Sequence, residues 1–192
     1  GSAVSAKDAG DVVEARTRDL TAYQNEAYAR EFREFIDDIS RQAPELREPV
    51  ARHLYKLMAI KDEYEVARLL TDPAFEQRVR DTWASLEGIT YNLHPPLLRH
   101  WGVSKKMRMG SWFRPFLKLI AAAKGLRAGP LDLFGWAAHR KLERSLIEWY
   151  KNLVRNAIAL RDSDNEALIL DLVSLPDKIR GYEQIKEKSI AE

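Results

Sequence analysis

The chain reads as mainly α: a multi-helix bundle with a small β-hairpin-like insertion around residues 89–109. Three observations predict this. Apolar residues recur at three- and four-residue steps over most of the length, the period of a helix with one buried face. Proline and glycine are sparse outside residues 88–135, so little else interrupts the helices. Within that window Ile89-Thr90-Tyr91-Asn92-Leu93 alternates like a strand before His94-Pro95-Pro96 stops it.

Each element follows in order. Residues 8–41 read as one long helix, through Val13, Leu20, Tyr23, Ala27, Phe32, Phe35, Ile36 and Ile39. Pro44 and Pro49 mark a turn. A second helix is expected over 49–70, with Val50, Leu54, Leu57, Met58, Val66 and Leu69 inward and Lys61 paired to Glu65 on its outer face. Asp72-Pro73 restarts the chain: Asp72 caps, and proline suits the first helical position because its missing N–H has no partner there anyway. The third helix carries Phe75, Val79 and Trp83 and ends near Gly88.

Residues 103–109 are expected to return as the partner of the 89–93 strand. A lone two-stranded ribbon is only marginally stable, so Trp101, Trp112 and Phe113 are read as anchors holding it to the helices. Helical spacing resumes over 112–124, with Phe116, Leu117 and Ile120 inward, until Gly125 and Gly129-Pro130 break it. Residues 131–135 connect to a long helix over 136–160, through Leu142, Leu146, Trp149, Leu153 and Ile158. Ser163 and Glu166 have capping-box spacing and open a helix over 167–174. Pro176 starts the last one, and residues 187–192 form a solvated tail.

With 192 residues, 45% hydrophobic and 31% charged, the chain has enough apolar content for one buried core and is not of the disordered type. The expected organisation is one helical domain over 3–192, with Gly1-Ser2 a protease scar and 88–131 a basic insertion. No run reaches the roughly 20 apolar residues of a membrane span. There is no cysteine, so the chain offers no disulfide and no thiolate for zinc, an iron–sulfur cluster or nucleophilic attack. The expected location is cytoplasmic.

Charge is the most informative feature for function. Between Glu87 and Asp132 there is no acid, yet the stretch holds Arg99, Lys105, Lys106, Arg108, Arg114, Lys118, Lys124 and Arg127. The chain sums to +2, so this window carries +8 and the remainder −6. Such a stretch marks a face for an anionic partner, with Arg99, Lys105, Lys106, Arg108 and Arg114 as the candidate contacts.

Nothing comparable points to catalysis. No glycine-rich phosphate loop, serine elbow or paired-cysteine motif occurs. His139 and Glu143 stand four apart on a helix, but two ligands are too few for a metal, and the pair reads as a surface ion pair. His53 reads as the edge of an apolar stripe. His94 and His100 sit in loops without a carboxylate nearby to orient them as acid or base. Asp62, Glu63 and Glu65, interleaved with Lys56, Lys61 and Arg68, read as a solvated, salt-bridged helix face.

Several stretches in order resemble a known family. They are Leu54-Tyr-Lys-Leu-Met-Ala-Ile-Lys-Asp-Glu-Tyr-Glu-Val-Ala-Arg-Leu-Leu with Thr71-Asp-Pro-Ala-Phe, then Leu93-His-Pro-Pro-Leu-Leu and Pro130-Leu-Asp-Leu-Phe-Gly. Glu143-Arg-Ser-Leu-Ile-Glu-Trp-Tyr and Leu175-Pro-Asp-Lys-Ile-Arg-Gly-Tyr-Glu-Gln-Ile-Lys complete the set. Together, over about 12–190, they resemble the C-terminal domain of the fused indolepyruvate (2-oxoacid) ferredoxin oxidoreductases.

The resemblance implies a parent polypeptide that decarboxylates a 2-oxoacid on thiamine diphosphate with magnesium, passes electrons through iron–sulfur clusters to ferredoxin and forms an acyl-CoA. It assigns no catalytic, cofactor-binding or metal-binding residue to this sequence. The implied role is a non-catalytic structural or interaction domain that contacts the parent's other domains or helps receive ferredoxin, with a homodimer through the first helix as a further expectation. The alternative is a stand-alone basic nucleic-acid-binding module, in which Tyr91, Trp101, Trp112 and Phe113 interleave with the cations. A net charge of +2 and the absence of a reading motif count against that alternative.

Overall fold

Asn25 divides what the periodicity reads as one helix. Its backbone is extended (φ −167°, ψ 177°) and its side-chain Oδ1 accepts from the Tyr28 N–H at 2.9 Å, so α1 (Ala6–Tyr23) ends and α2 (Glu26–Gln42) begins anew. The computed structural model describes residues 6–82, 90–93, 107–132, 134, 138–162 and 164–179. The protein is mainly α.

A second division falls inside the expected 49–70 helix. After a 3₁₀ turn (Pro44–Leu46), α3 (Arg47–Met58) stops, and α4 (Glu63–Thr71) starts under Asp62, whose Oδ1 accepts from the Glu65 N–H at 2.8 Å. Lys61 therefore precedes the helix instead of pairing along it. Glu65 is gripped by Arg68, with Nε at 2.8 Å and Nη2 at 2.7 Å. α5 (Pro73–Thr82) opens as the sequence predicts, Asp72 Oδ1 accepting from Ala74 N–H at 2.8 Å.

The hairpin is present: β1 (Tyr91–Leu93) pairs antiparallel with β2 (Met107–Met109), Tyr91 opposite Met109 and Leu93 opposite Met107. α6 (Arg114–Ala122) lies between 3₁₀ turns Ser111–Phe113 and Ala123–Leu126. α7 (Ala138–Ala159), α8 (Glu166–Val173) and a final 3₁₀ turn (Leu175–Asp177) complete the order. Ser163 lies outside the described residues. The turn into α8 is closed by Asp162, whose Oδ1 accepts from Asp164 and Asn165 N–H at 2.8 and 3.1 Å.

These elements form two compact units. Residues 1–60 and 136–192 make the first, and 61–135 the second. In the first, α2 buries Ala29, Phe32, Phe35, Ile36 and Ile39 along one side, and α3 buries Val50, Ala51, Leu54, Leu57 and Met58. They meet Leu20 of α1, Leu146, Tyr150 and Val154 of α7, and Ile169 and Val173 of α8 in one apolar cluster. Each buried Val, Leu, Ile, Phe or Met among them contributes about 1.5–3 kcal/mol by leaving water.

Polar links supplement this core. The Tyr150 hydroxyl donates to the Val173 carbonyl at 2.7 Å, tying α7 to α8, and burial pushes that phenol well above its usual range. Lys151, 5% exposed, meets Glu148 at 3.1 Å and also Glu31 of α2. Lys56 donates to the Pro176 carbonyl at 2.7 Å and pairs with Asp177 at 3.1 Å.

In the second unit α4 packs on α6: Ala67 and Leu117 are buried, with Leu70, Met109, Phe113, Ile120 and Ala121 around them. Phe113, one of the expected anchors, packs on this cluster, and so does Met109 of β2. Trp101 lies outside the described residues. Trp112, expected to anchor, is 71% exposed, and Phe116, expected inward, is 51% exposed. Successive helical residues point about 100° apart, so with Leu117 facing α4 its neighbour Phe116 is turned away. For the same geometric reason Leu69 and Trp149 stand 39% and 41% exposed although both lie in apolar patterns.

Candidate functional site: a basic stretch and a buried polar staple

The five candidate partner contacts fall unevenly. Arg99, Lys105 and Lys106 lie outside the described residues. Arg108 stands in β2 opposite Asn92. Arg114 is the first residue of α6 and is half-buried.

Arg127 departs most from expectation. Its guanidinium is 6% exposed and grips Asp62, Nε to Oδ2 at 2.6 Å and Nη2 to Oδ1 at 2.7 Å, the two-pronged geometry that suits arginine and carboxylate. It also lies 5.3 Å from the centroid of the Tyr64 ring. Neither member of this pair faces solvent. Asp62, read as part of a solvated acidic face, is 8% exposed, and one member of the basic stretch is an internal structural group.

A second acid completes the cluster. Asp132 is 3% exposed; its Oδ1 accepts from the Tyr64 hydroxyl at 3.2 Å and its Oδ2 from the Ala128 N–H at 2.8 Å. Ala128 is held there at φ 60°, the left-handed region that favours glycine. Phe134 meets the Tyr64 ring edge-on, centroids 5.0 Å apart. Burial, followed by the Asp132 charge, pushes the Tyr64 hydroxyl up to about 12. Nearby, burial and the neighbouring Arg68 and Arg127 charges hold the Lys124 ammonium below its usual range, opposed by Glu65.

The chemistry open to this cluster is narrow. Both oxygens of both carboxylates already accept hydrogen bonds, and a general base needs a lone pair that substrate can reach. The arrangement is a staple that fixes the start of α4 to the 127–134 loop. Sequence reasoning missed it because Asp62 and Arg127 stand 65 positions apart. The available signal was Asp132 itself, the acid that ends the acid-free window inside Pro130-Leu-Asp-Leu-Phe-Gly.

Among the described residues, His53 offers no alternative centre. His53, with its side chain 12% exposed, has Nδ1 3.6 Å from Asp177. Its pKa is lowered by burial, which outweighs the pull of Asp177 and is helped by Lys56 and Arg52. His94 and His100 lie outside the described residues. His139 falls on α7 with its side chain outside them. Glu143, the expected partner of His139, is held by Arg140 at 2.9 Å. Among the described residues no group of three or more His, Asp or Glu is placed to hold a metal, and no helix is long and apolar enough to cross a membrane.

Fold and site together define a class: a helical protein whose described buried charges are bonded within the chain and whose sequence holds one window, 88–131, with cations and no acid. The chain belongs to the family described as "Family of unknown function (DUF6537)", whose profile matches residues 9–192. No curated protein and no solved structure matches it.

Proposed function

We propose that this chain is the non-catalytic C-terminal structural or interaction domain of a thiamine diphosphate-dependent 2-oxoacid (indolepyruvate):ferredoxin oxidoreductase. Its basic stretch contacts neighbouring domains of that enzyme or helps receive ferredoxin, an acidic protein. The observation that supports the scaffold role is what the resemblance-bearing residues do. Asp62 and Tyr64 of one motif are joined to Arg127 and to Asp132 and Phe134 of another. Leu146, Ile147 and Tyr150 lie in the first unit's core, and Asp177 pairs with Lys56. Motifs that bond to one another hold a fold together and leave few groups for a substrate.

One cofactor of the parent, the iron–sulfur cluster, lacks its usual donors in this chain. Iron–sulfur clusters are held by cysteine thiolates, and the chain has none. No step of the parent's chemistry is assigned to these residues.

The reading is tested at two levels. The natural reading frame upstream of residue 3 is expected to encode 2-oxoacid oxidoreductase domains with cysteine-rich cluster motifs; a frame without them removes the membership. In that parent, reversing Arg99, Lys105, Lys106 and Arg108 to glutamate is expected to raise the KM for ferredoxin and flatten its salt dependence, because steering between opposite charges is screened by salt. An unchanged KM with unchanged salt dependence removes the docking role and leaves the membership standing.

A further inference from the structure

α6 has two faces with different fates. Leu117, Ile120 and Ala121, with Phe113 just ahead of the helix, close onto Ala67 and Leu70 of α4. Trp112, Phe116 and Leu119 are 71%, 51% and 66% exposed. Phe116 and Leu119, three apart, share one side of the helix, and Trp112 lies in the 3₁₀ turn just ahead of it. The exposed rings are braced: Phe116 and Phe113 have centroids 4.9 Å apart, and Trp112 stands edge-on to Phe113 at 5.6 Å. Isolated exposed apolar residues are ordinary, whereas an aligned and braced set marks a surface that is covered in use.

Charge indicates the cover. α6 lies inside the acid-free 88–131 window, with Lys118 exposed on the helix itself. Counted from the sequence, the unit 61–135 carries a net +4 and the remainder of the chain −2. A second copy docking about a two-fold axis would set this window against itself, cation to cation. Nucleic acid brings negative charge and base faces that stack on Trp112 and Phe116, but no aliphatic surface to match Leu119. An anionic bilayer takes up a helix whose whole apolar face is available, while much of that of α6 is already closed onto α4.

We infer that α6 is a docking helix for an acidic protein segment bearing apolar side chains, an acidic amphipathic helix being the simplest form. Its apolar residues cover Trp112, Phe116 and Leu119 while its carboxylates meet Lys118 and the net positive charge of the unit 61–135. The inference requires α6 and its charge surroundings alone and does not depend on the enzyme reading.

The test titrates the full chain into a fluorescein-labelled synthetic peptide of roughly twenty residues, long enough for a stable helical stripe. Leucine and tryptophan occupy the i, i+3, i+4 and i+7 positions of this peptide, and glutamate fills most others. A scrambled peptide of the same composition, oligo-dT and phosphatidylserine vesicles serve as competing ligands. The amphipathic peptide is expected to bind at least about tenfold tighter than the scrambled one, with Phe116→Ser and Leu119→Ser each weakening it about tenfold. Lys118→Glu is expected to cost about threefold at low salt and less at high salt. Circular dichroism establishes that each variant stays folded, which their exposure favours.

Three results overturn the inference: equal binding of both peptides, unaffected by the two serine variants; preferential binding of oligo-dT or vesicles; and a dimer in sedimentation equilibrium that Leu119→Ser abolishes. The last assigns the face to a second copy of the chain.

Discussion

The two units bury opposite kinds of matter. In the unit made of 1–60 and 136–192, Leu20, Phe32, Ile36, Ile39, Leu54, Met58, Tyr150 and Val154 have no exposed surface, and the apolar cluster joins five helices. In the unit 61–135 the buried apolar cluster among the described residues is Ala67 and Leu117, while Asp62, Arg127 and Asp132 are buried beside Tyr64. A large apolar core is cohesive without being directional, since burial energy scales with area. A small one leaves several packings close in energy. There the paired charges, with fixed angles and partners, select one arrangement of the loop against α4.

The largest effects test whether the polar staple matters to its unit as much as apolar bulk matters to the other. Phe32→Ala is expected to cost about 3–5 kcal/mol through lost transfer energy and a cavity. Arg127→Met is expected to cost a similar amount, about 3–5 kcal/mol, because it strands a buried carboxylate. The double variant Asp62→Leu with Arg127→Met should recover part of the second loss, falling short by about 1 kcal/mol because Asp62 also caps α4. Urea unfolding gives the totals, and hydrogen exchange assigns each loss to its unit. A single Arg127→Met variant costing well under 1 kcal/mol in such measurements would mean the pair is solvated and the contrast is wrong.

A smaller effect concerns pH and the first unit. Burial lowers the pKa of His53 when the chain folds, so the unfolded state binds the proton more readily. The associated stability is therefore complete above the unfolded value of 6.5 and declines as pH falls through the lower folded value. The melting temperature should drop on acidification through this range, and His53→Gln should remove that part of the slope. An identical profile in wild type and variant would show that His53 is solvated in both states.

The smallest effect sharpens the view of the staple. Ala128 sits at φ 60° because Asp132 and the turn hold it there. Ala128→Gly relieves the Cβ conflict and is expected to stabilise by about 0.5–1 kcal/mol, less what the more flexible unfolded chain gains. Measured destabilisation would place the strain elsewhere.

Legibility in the sequence follows the range of the interactions. The Asp72-Pro73 restart, the strands read over 89–93 and 103–109 and found at 91–93 and 107–109, and the inward stripe of α3 rest on local pattern, and all three were readable. The breaks at Asn25 and at 59–62 were not, since neither carries glycine or proline and continuous apolar spacing runs through both. Asn25 and Asp62 do have capping chemistry, but asparagine and aspartate also occur on exposed helix faces, so the signal was ambiguous. The exposure of Trp112 and Phe116 was hidden because an apolar residue reads as inward until the neighbouring helix has been placed.

The sequence by itself determined the helical class, the hairpin and the acid-free window that holds eight cations, because periodicity and charge order are properties of the chain alone. Tertiary structure decided which of those charges face water. Arg127 and Asp62 became a buried staple, and Trp112, Phe116 and Leu119 became surface, because burial is set by what packs opposite a residue. In this chain those partners lie far away along the sequence.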